Sequence, residues 1–439
     1  MKTSLEEIST VKKKVVVEIE SSEVDKKLNQ SYATIGKKAK IPGFRPGKIP
    51  RKILESYFGS QVMDDVTREL ISESFPKAID EMNSFPLGQP ILEKDILKPG
   101  QDFKYSAVIE VRPQFEVKDY SGVEVQKEKW SFDEKQVEEE LTRIRESSGK
   151  LNPVEGRPAR EGDHIVLEYE ELLDGNPVDG TKTFNQMMLI GRNDFHPDFD
   201  QALVGLNKEE EKQIEVVFEE NHPNEKWAGK KVTFKIQVSD LKELELPELD
   251  DEFAKKLGPN FETLDILKEE IRKSLTAREE KRVDSQLKER LLDKIAEGLD
   301  IELPQVMVDS ETDAYLERFK MNLRGTGGTL ENLGIPEQKL RENFEPMSRK
   351  RVKEILMLSQ IARQEKMDLT DEDVDQGFRE IAEGMGQETE TVKKFYEAKG
   401  LMDSLKDQFL EEKVLRYLVE HGNISEVERE ALFSKEEDR

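Results

Sequence analysis

Residues 41–50 read Ile41-Pro42-Gly43-Phe44-Arg45-Pro46-Gly47-Lys48-Ile49-Pro50. Gly43 and Gly47 can take positive φ, while Pro42, Pro46 and Pro50 fix φ and bias the residue before each to extended geometry. Such a run makes a stiff loop that cannot bury Phe44 or Arg45 within itself. It sits in the one basic stretch of an acidic chain. No carboxylate occurs between Asp25 and Glu55, where Lys26, Lys27, Lys37, Lys38, Lys40, Arg45, Lys48, Arg51 and Lys52 lie. The chain has 69 Lys+Arg and 95 Asp+Glu; setting these nine bases aside leaves 60 against 95, a net of −35. A polyanionic body can approach such a chain only through this tip, which reads as docking. On composition alone, a turn with solvated charges accounts for the stretch as well.

The pattern Gly43-Phe44-Arg45-x-Gly47-Lys48-x-Pro50 resembles the ribosome-docking signature of the trigger factor family, bacterial chaperones of nascent chains. The resemblance runs over essentially the whole chain, in the order docking domain, isomerase domain, helical domain. It implies that Phe44, Arg45 and Lys48, framed by Gly43 and Gly47, contact the large ribosomal subunit near the nascent-chain exit. Many members of that family carry a second base after the arginine; Pro46 here removes one charge from the tip.

A length of 439 residues suggests two to four domains, each able to bury a core. With 37% charged, 35% hydrophobic and 7% aromatic residues, the composition suits an elongated, multidomain α+β body with much surface. The absence of cysteine excludes disulfides and thiolate metal sites. Residues 1–7 lack the apolar core of a signal peptide, and no run approaches the roughly 18 apolar residues of a membrane span. A cytoplasmic protein with no membrane partner is expected.

Along the chain, Val15, Val17 and Ile19 alternate on one face of a strand, and a capping pattern at Ser22 and Asp25 starts a helix to about Lys38. Pro50 opens a second helix expected to end at Gly59, with Ser60 capping a third towards Asn83. A strand over 102–112 closes a small α+β domain, 1–113. Residues 114–155 read as a linker with one helix starting at Asp133. Residues 156–244 carry short alternating strands and turns, including Glu161-Gly162-Asp163 and Asp174-Gly175, which predict a curled antiparallel sheet with one short helical stretch.

That segment is similar to an FKBP-type peptidyl-prolyl isomerase domain through Gly162-Asp163, Tyr169, Asp174-Gly175, Asp179, Gly191, Phe199, Gly205 and Phe234. The resemblance implies a cup lined by Tyr169, Phe195, Phe199 and Phe234, with Asp179 as its polar wall. Turning an X-Pro bond needs no nucleophile. Its barrier of roughly 20 kcal/mol falls when a dry, apolar pocket favours the twisted amide over the planar one. The aromatics taken alone fit an ordinary small β core. Val178, Gln186, His196 and Asp198 depart from the isomerase pattern and imply a smaller, more polar pocket and a slower enzyme.

Residues 245–439 show helical spacing almost throughout, and the tail from Ser425 is expected to fray. Seven of the twelve methionines lie there: Met307, Met321, Met347, Met357, Met367, Met385 and Met402. Flexible thioethers suit a surface that meets many unrelated apolar segments, though they serve equally as gap-fillers in helix packing. The family resemblance favours a cradle for unfolded nascent polypeptides. Gly325-Thr-Gly-Gly-Thr329 lacks the end of a phosphate-binding loop. The histidines (His164, His196, His222, His421) show no metal spacing, so no cofactor or metal is expected. The basic window offers one aromatic pair, Tyr32 and Phe44, and so no stacking platform for free nucleic acid. The expected function is an ATP-independent, ribosome-docked chaperone with prolyl isomerase activity and a weak homodimer off the ribosome. The alternative is a stand-alone prolyl isomerase with solubilising flanks.

Overall fold

The computed structural model describes residues 1–439 apart from 46, 174–175, 179–180, 194, 221–226, 331–333 and 434–439. Pro46, Asp174, Gly175, Asp179 and His222 therefore lie outside the described residues. The chain forms two compact units, 1–129 with 284–439, and 130–283.

In the first unit, β1 (Lys2–Glu7), β2 (Lys12–Ile19), α1 (Ser21–Lys38), α2 (Arg51–Met82), β3 (Ile91–Lys94) and β4 (Phe103–Glu110) make a sheet and a helix pair. The sheet is antiparallel with order β1-β2-β4-β3, and Val15 and Val17 face Ala107 and Tyr105 across β2 and β4. Every second residue of these strands points into a core shared with Leu28 and Tyr32 of α1 and Val62, Val66 and Leu70 of α2. The break expected at Gly59 is absent, since α2 is continuous for 32 residues. A glycine inside a helix costs about 1 kcal/mol, and tertiary packing overrides so weak a preference. A further strand, β5 (Glu124–Glu128), follows.

The second unit holds α3 (Glu134–Ser147), β6 (Lys150–Pro153), β7 (His164–Leu173), β8 (Asn176–Pro177), β9 (Thr183–Leu189), α4 (Pro197–Leu203), β10 (Glu211–Val217), β11 (Lys231–Glu245) and α5 (Asp251–Leu257). The 15-residue β11 is the spine of its antiparallel sheet. It pairs with β10, β7 and β6 in turn, while β8 and β9 add to β7. Val232, Phe234, Ile236 and Val238 alternate inward along it, against Phe199 and Leu203 of α4. Helix α6 (Leu264–Glu297) contributes its part up to Val283 to this unit and the rest to the first. Val137 and Leu141 of α3 pack with Phe253 of α5 and Leu267, Ile271 and Leu275 of α6. The seven residues of α5 are too few to show a period; Asp250 caps it, accepting from Phe253 N at 2.8 Å.

The remainder of the first unit is helical: α7 (Gln305–Gly325), α8 (Glu337–Gln364), α9 (Asp371–Met385), α10 (Thr389–Lys399) and α11 (Met402–Glu420). The spacing Thr370-x-x-Asp373 makes a capping box in the sequence, and that box starts α9. Pro304 gives α7 no side-chain cap, and Glu110, the last residue of β4, supplies the acceptor, taking Val306 N at 2.8 Å. The tail does not fray where expected. β12 (Asn423–Val427) pairs in parallel with β5, Asn423 facing Glu124 and Val427 facing Glu128, and α12 (Arg429–Phe433) follows. Among the described residues, no helix is long and apolar enough to cross a membrane.

Candidate functional site

The basic loop is anchored at both ends. Ala39 N donates to Ile35 O as α1 ends, and Ala39 and Ile41 are buried in the sheet–helix core. On the return, Gly47 N donates to Gly36 O at 2.9 Å. Between the anchors, Phe44 N donates to Ile41 O in a tight turn, and just past the second anchor Lys48 N donates to Arg45 O at 3.0 Å. Gly43 and Gly47 have φ of +88° and +81°, and nothing lies within 4 Å of a Cβ at either, so backbone conformation alone demands glycine there. Phe44 is 39% exposed, and Arg45 and Lys48 stand fully outward.

The structure also sorts the nine bases. Lys27 bridges Glu69 at 2.6 Å and Glu73 at 2.5 Å, and those hydrogen bonds raise its pKa. Arg51 pairs with Glu55 at 2.7 Å and lies 4.1 Å from the centre of the Tyr32 ring. Lys26, Lys37, Lys38, Lys40, Arg45, Lys48 and Lys52 form no ion pair with a described residue. Apart from Lys26, near the start of α1, these cations lie at and beside the loop.

In the second unit, four of the aromatics singled out from sequence converge. The Phe195 ring lies 4.7 Å from Phe199, 5.3 Å from Phe234 and 6.1 Å from Tyr169, mostly edge to face. Phe199 and Phe234 are buried at 1% and 0% exposure, whereas Tyr169 and Phe195 are half-buried. That difference assigns depth: Phe199 and Phe234 lie beneath the half-buried rings as a buried floor that does not itself line the cleft, and Tyr169 and Phe195 line a cleft of about 350 Å³ with His164, Gln186, Met188 and Arg192. His196 caps α4, its Nδ1 accepting from Asp198 N at 3.2 Å. Its ring meets Phe218 at 5.4 Å, so the departure from the expected aliphatic has a structural use.

Sequence reasoning left out three members of this cluster. Phe218 and Trp227 stack at 5.1 Å and both reach Phe195. The alternation of Ile214, Val216 and Phe218 points Phe218 inward and could have found it. Trp227 follows β10 in a connecting segment with no period to read. Asp200, beside Phe199 on α4, is 3% exposed and carried no signal beyond its adjacency. Below the cup, Asp163 is held by Arg157 (2.5 and 2.9 Å) and by Arg160 N (2.8 Å). The Arg157 guanidinium lowers its carboxyl pKa and fixes the turn at Gly162, where φ is +90°.

In the helical part, Met321, Met347 and Met385 are exposed with Phe395 and Leu401, while Met357 is fully buried. A cleft of about 650 Å³ runs along Met307, Ile355 and Leu410, but charge dominates its wall. Arg351 pairs there with Glu411, whose carboxyl is pushed up by burial against the pull of Arg351. The exposed apolar groups thus lie apart from this cleft.

The comparisons with known proteins follow the same order along the chain. A family model described as bacterial trigger factor protein matches residues 1–144, and its C-terminal counterpart matches 263–420. Between them, the FKBP-type peptidyl-prolyl cis-trans isomerase model matches 155–239. The trigger factor of Geotalea uraniireducens is 35% identical over 431 residues, covering 98% of this chain and 99% of its own length. That of Halalkalibacterium halodurans is 34% identical over 413 residues, 93% of this chain and 96% of its own. A solved structure reported under the words "Promiscuous Substrate Recognition in Folding and Assembly Activities of the Trigger Factor Chaperone" has a TM-score of 0.50 at 23% identity. It covers 96% of this chain and 99% of that one, a likeness of fold. Relatives this similar from end to end decide the matter: the chain belongs to the trigger factor family, with an FKBP-type domain between its N- and C-terminal parts.

Proposed function

We propose that this chain docks on the large ribosomal subunit near the nascent-chain exit, shields emerging unfolded polypeptides without nucleotide hydrolysis, and catalyses cis/trans isomerisation of X-Pro bonds. The observation that carries the docking reading is the loop at 41–50: an exposed Phe44 among unpaired cations on an otherwise acidic chain. Arg45 and Lys48 meet phosphate or carboxylate, and Phe44 enters an apolar recess. Because part of the attraction is ionic, binding weakens steeply with salt.

The isomerase reading is supported by the half-buried Tyr169 and Phe195 over a dry floor of Phe199 and Phe234. A prolyl ring entering that cleft leaves water, and the twisted amide is favoured over the planar one. Asp179 is proposed as the polar wall. The division of labour is docking by 1–113, linkage by 114–155, isomerisation by 156–244 and client binding by 245–439. Exposed Met321, Met347, Met385 and Phe395 suit contact with varied apolar segments. In this reading the protein works in the cytoplasm and self-associates weakly when free.

The test is co-sedimentation of the purified chain with ribosomes, alongside a prolyl isomerisation assay on the full chain and on a 156–244 deletion. Ribosome binding with aggregation suppression retained in the deletion supports the modular chaperone. Failure to bind ribosomes, with all activity on a protein client residing in 156–244, supports a stand-alone isomerase instead.

A further inference from the structure

The turn that delivers Phe195 to the cup is held by one buried carboxylate. Asp200 Oδ2 accepts from Gly191 N at 3.0 Å and from Asn193 N at 2.8 Å. Both donors sit in left-handed backbone, φ +97° at Gly191 and +58° at Asn193, so their amides converge on a single point. Converging turn amides make an anion-binding concavity, and here the anion is a side chain of the same domain. Gly191 is doubly constrained, since a Cβ would stand 2.7 Å from Glu161 Cγ. Two residues beyond Asn193 comes Phe195, and the residue before Asp200 is Phe199. One carboxylate oxygen of α4 therefore ties the backbone ahead of Phe195 to the helix that carries Phe199.

The second oxygen, Oδ1, is buried and accepts no hydrogen bond from a described residue. A tether needed only for shape could be a neutral amide, which has no spare buried lone pairs of a charged group to leave unsatisfied. The charge strengthens both amide contacts, because a hydrogen bond to an ionised acceptor is roughly twice as strong as a neutral one.

We infer that Asp200 is a positioning residue for the isomerisation proposed above, and the inference rests on that reading: it holds Gly191 and Asn193, just ahead of Phe195, so that the Phe195 ring packs against the prolyl ring. Without it the turn relaxes and Phe195 leaves the cleft. The Phe199–Phe234 floor remains, so peptide capture suffers more than turnover of bound peptide.

The experiment uses the full chain, a Pro-containing tetrapeptide and four variants: Asp200→Ala, Asp200→Asn, Phe195→Ala and the double Asp200→Ala/Phe195→Ala. Misplacing one wall by about an ångström should lower kcat/KM about tenfold in Asp200→Ala, chiefly through KM. Asp200→Asn keeps one acceptor oxygen and should recover part of the loss. The double variant should be no worse than Phe195→Ala, since both act through one ring. Wild-type kinetics in Asp200→Ala, or losses that multiply in the double variant, would overturn the inference. If Asp200→Ala does not fold, judged by Trp227 emission and cooperative unfolding, the same non-additivity is read from Asp200→Asn with Phe195→Ala. An inactive wild type sinks the isomerase reading itself; an active wild type indifferent to Asp200 sinks only this inference.

Discussion

The basic loop and the aromatic cup place their chemistry differently. The loop is ten consecutive residues whose conformation is written into its own glycines and prolines, with its active groups facing water. The cup gathers Tyr169, Phe195, Phe199, Phe218, Trp227 and Phe234 from two strands, a short helix and the segments that join such elements, and two of its predicted members are wholly buried. Function and folding are therefore separable at the loop and entangled at the cup. On the proposed function, a substitution in the loop should cost binding, and one in the cup should cost binding, stability or both, according to depth.

The largest effect should come from the loop. Replacing Phe44, Arg45 and Lys48 together by Ala should abolish ribosome co-sedimentation while stability moves by no more than about 0.5 kcal/mol, as for other exposed positions. Thermal unfolding and sedimentation on the same sample settle it. Binding retained at moderate salt would break the contrast from the loop side.

Next comes depth within the cup. Phe234→Ala empties a fully buried site and should destabilise the 130–283 unit by about 3–5 kcal/mol. Phe195→Ala removes a half-buried ring and should cost about 1–2 kcal/mol while lowering isomerisation of an X-Pro peptide. Denaturant unfolding followed through tryptophan emission gives both numbers. Equal stability losses would mean that Phe195 is ordinary core, and the distinction between wall and floor would fail.

A smaller effect separates the cations. Lys27 and Lys48 belong to the same basic run, yet Lys27 is engaged by Glu69 and Glu73 and Lys48 by nothing described. Lys27→Ala should lower stability by about 0.5 kcal/mol, the usual worth of partly exposed pairs, and leave docking within about twofold. Lys48→Ala should do the reverse. A docking loss at Lys27 as large as at Lys48 would show that total charge, not the loop, is read by the partner.

What could be read beforehand follows the same division. Features set by neighbours in sequence were legible: the 41–50 turn, the Thr370 capping box, the Asp133 cap and the alternation of β2, β4 and β11. Features set across long separations were not. The edge strands β1 and β3 are short and exposed, so no alternation marks them. Continuity of α2 through Gly59 accompanies the packing of Leu54, Val62 and Val66 against distant strands and α1, which no local pattern shows. Pairing of β12 with β5 joins residues some three hundred positions apart, which no local pattern announces. Trp227 and Asp200 belong to the cup only because the sheet brings them there.

The smallest predicted effect lies where both kinds of information meet. Asp373 completes the capping box of α9, which is local, and accepts from Lys413 Nζ of α11 at 2.6 Å, which is not. The Lys413 contact first, then the Thr370 amide and hydroxyl, lower the Asp373 pKa from 3.8 to about 2. A carboxyl whose folded pKa is depressed contributes stability above its unfolded value and loses it as pH falls through the folded one. The contribution should thus be complete at pH 6, begin to fade near pH 4 and be gone near pH 2. Asp373→Asn, unable to ionise, should be less stable than wild type at pH 6, and the gap in urea midpoint should narrow at pH 4 and again at pH 3. Lys413→Met should remove most of the same pH dependence if the tertiary partner dominates, whereas Thr370→Ala should remove most of it if the local box does. A gap that stays constant from pH 6 to pH 3 would show that neither partner is coupled to the charge of Asp373.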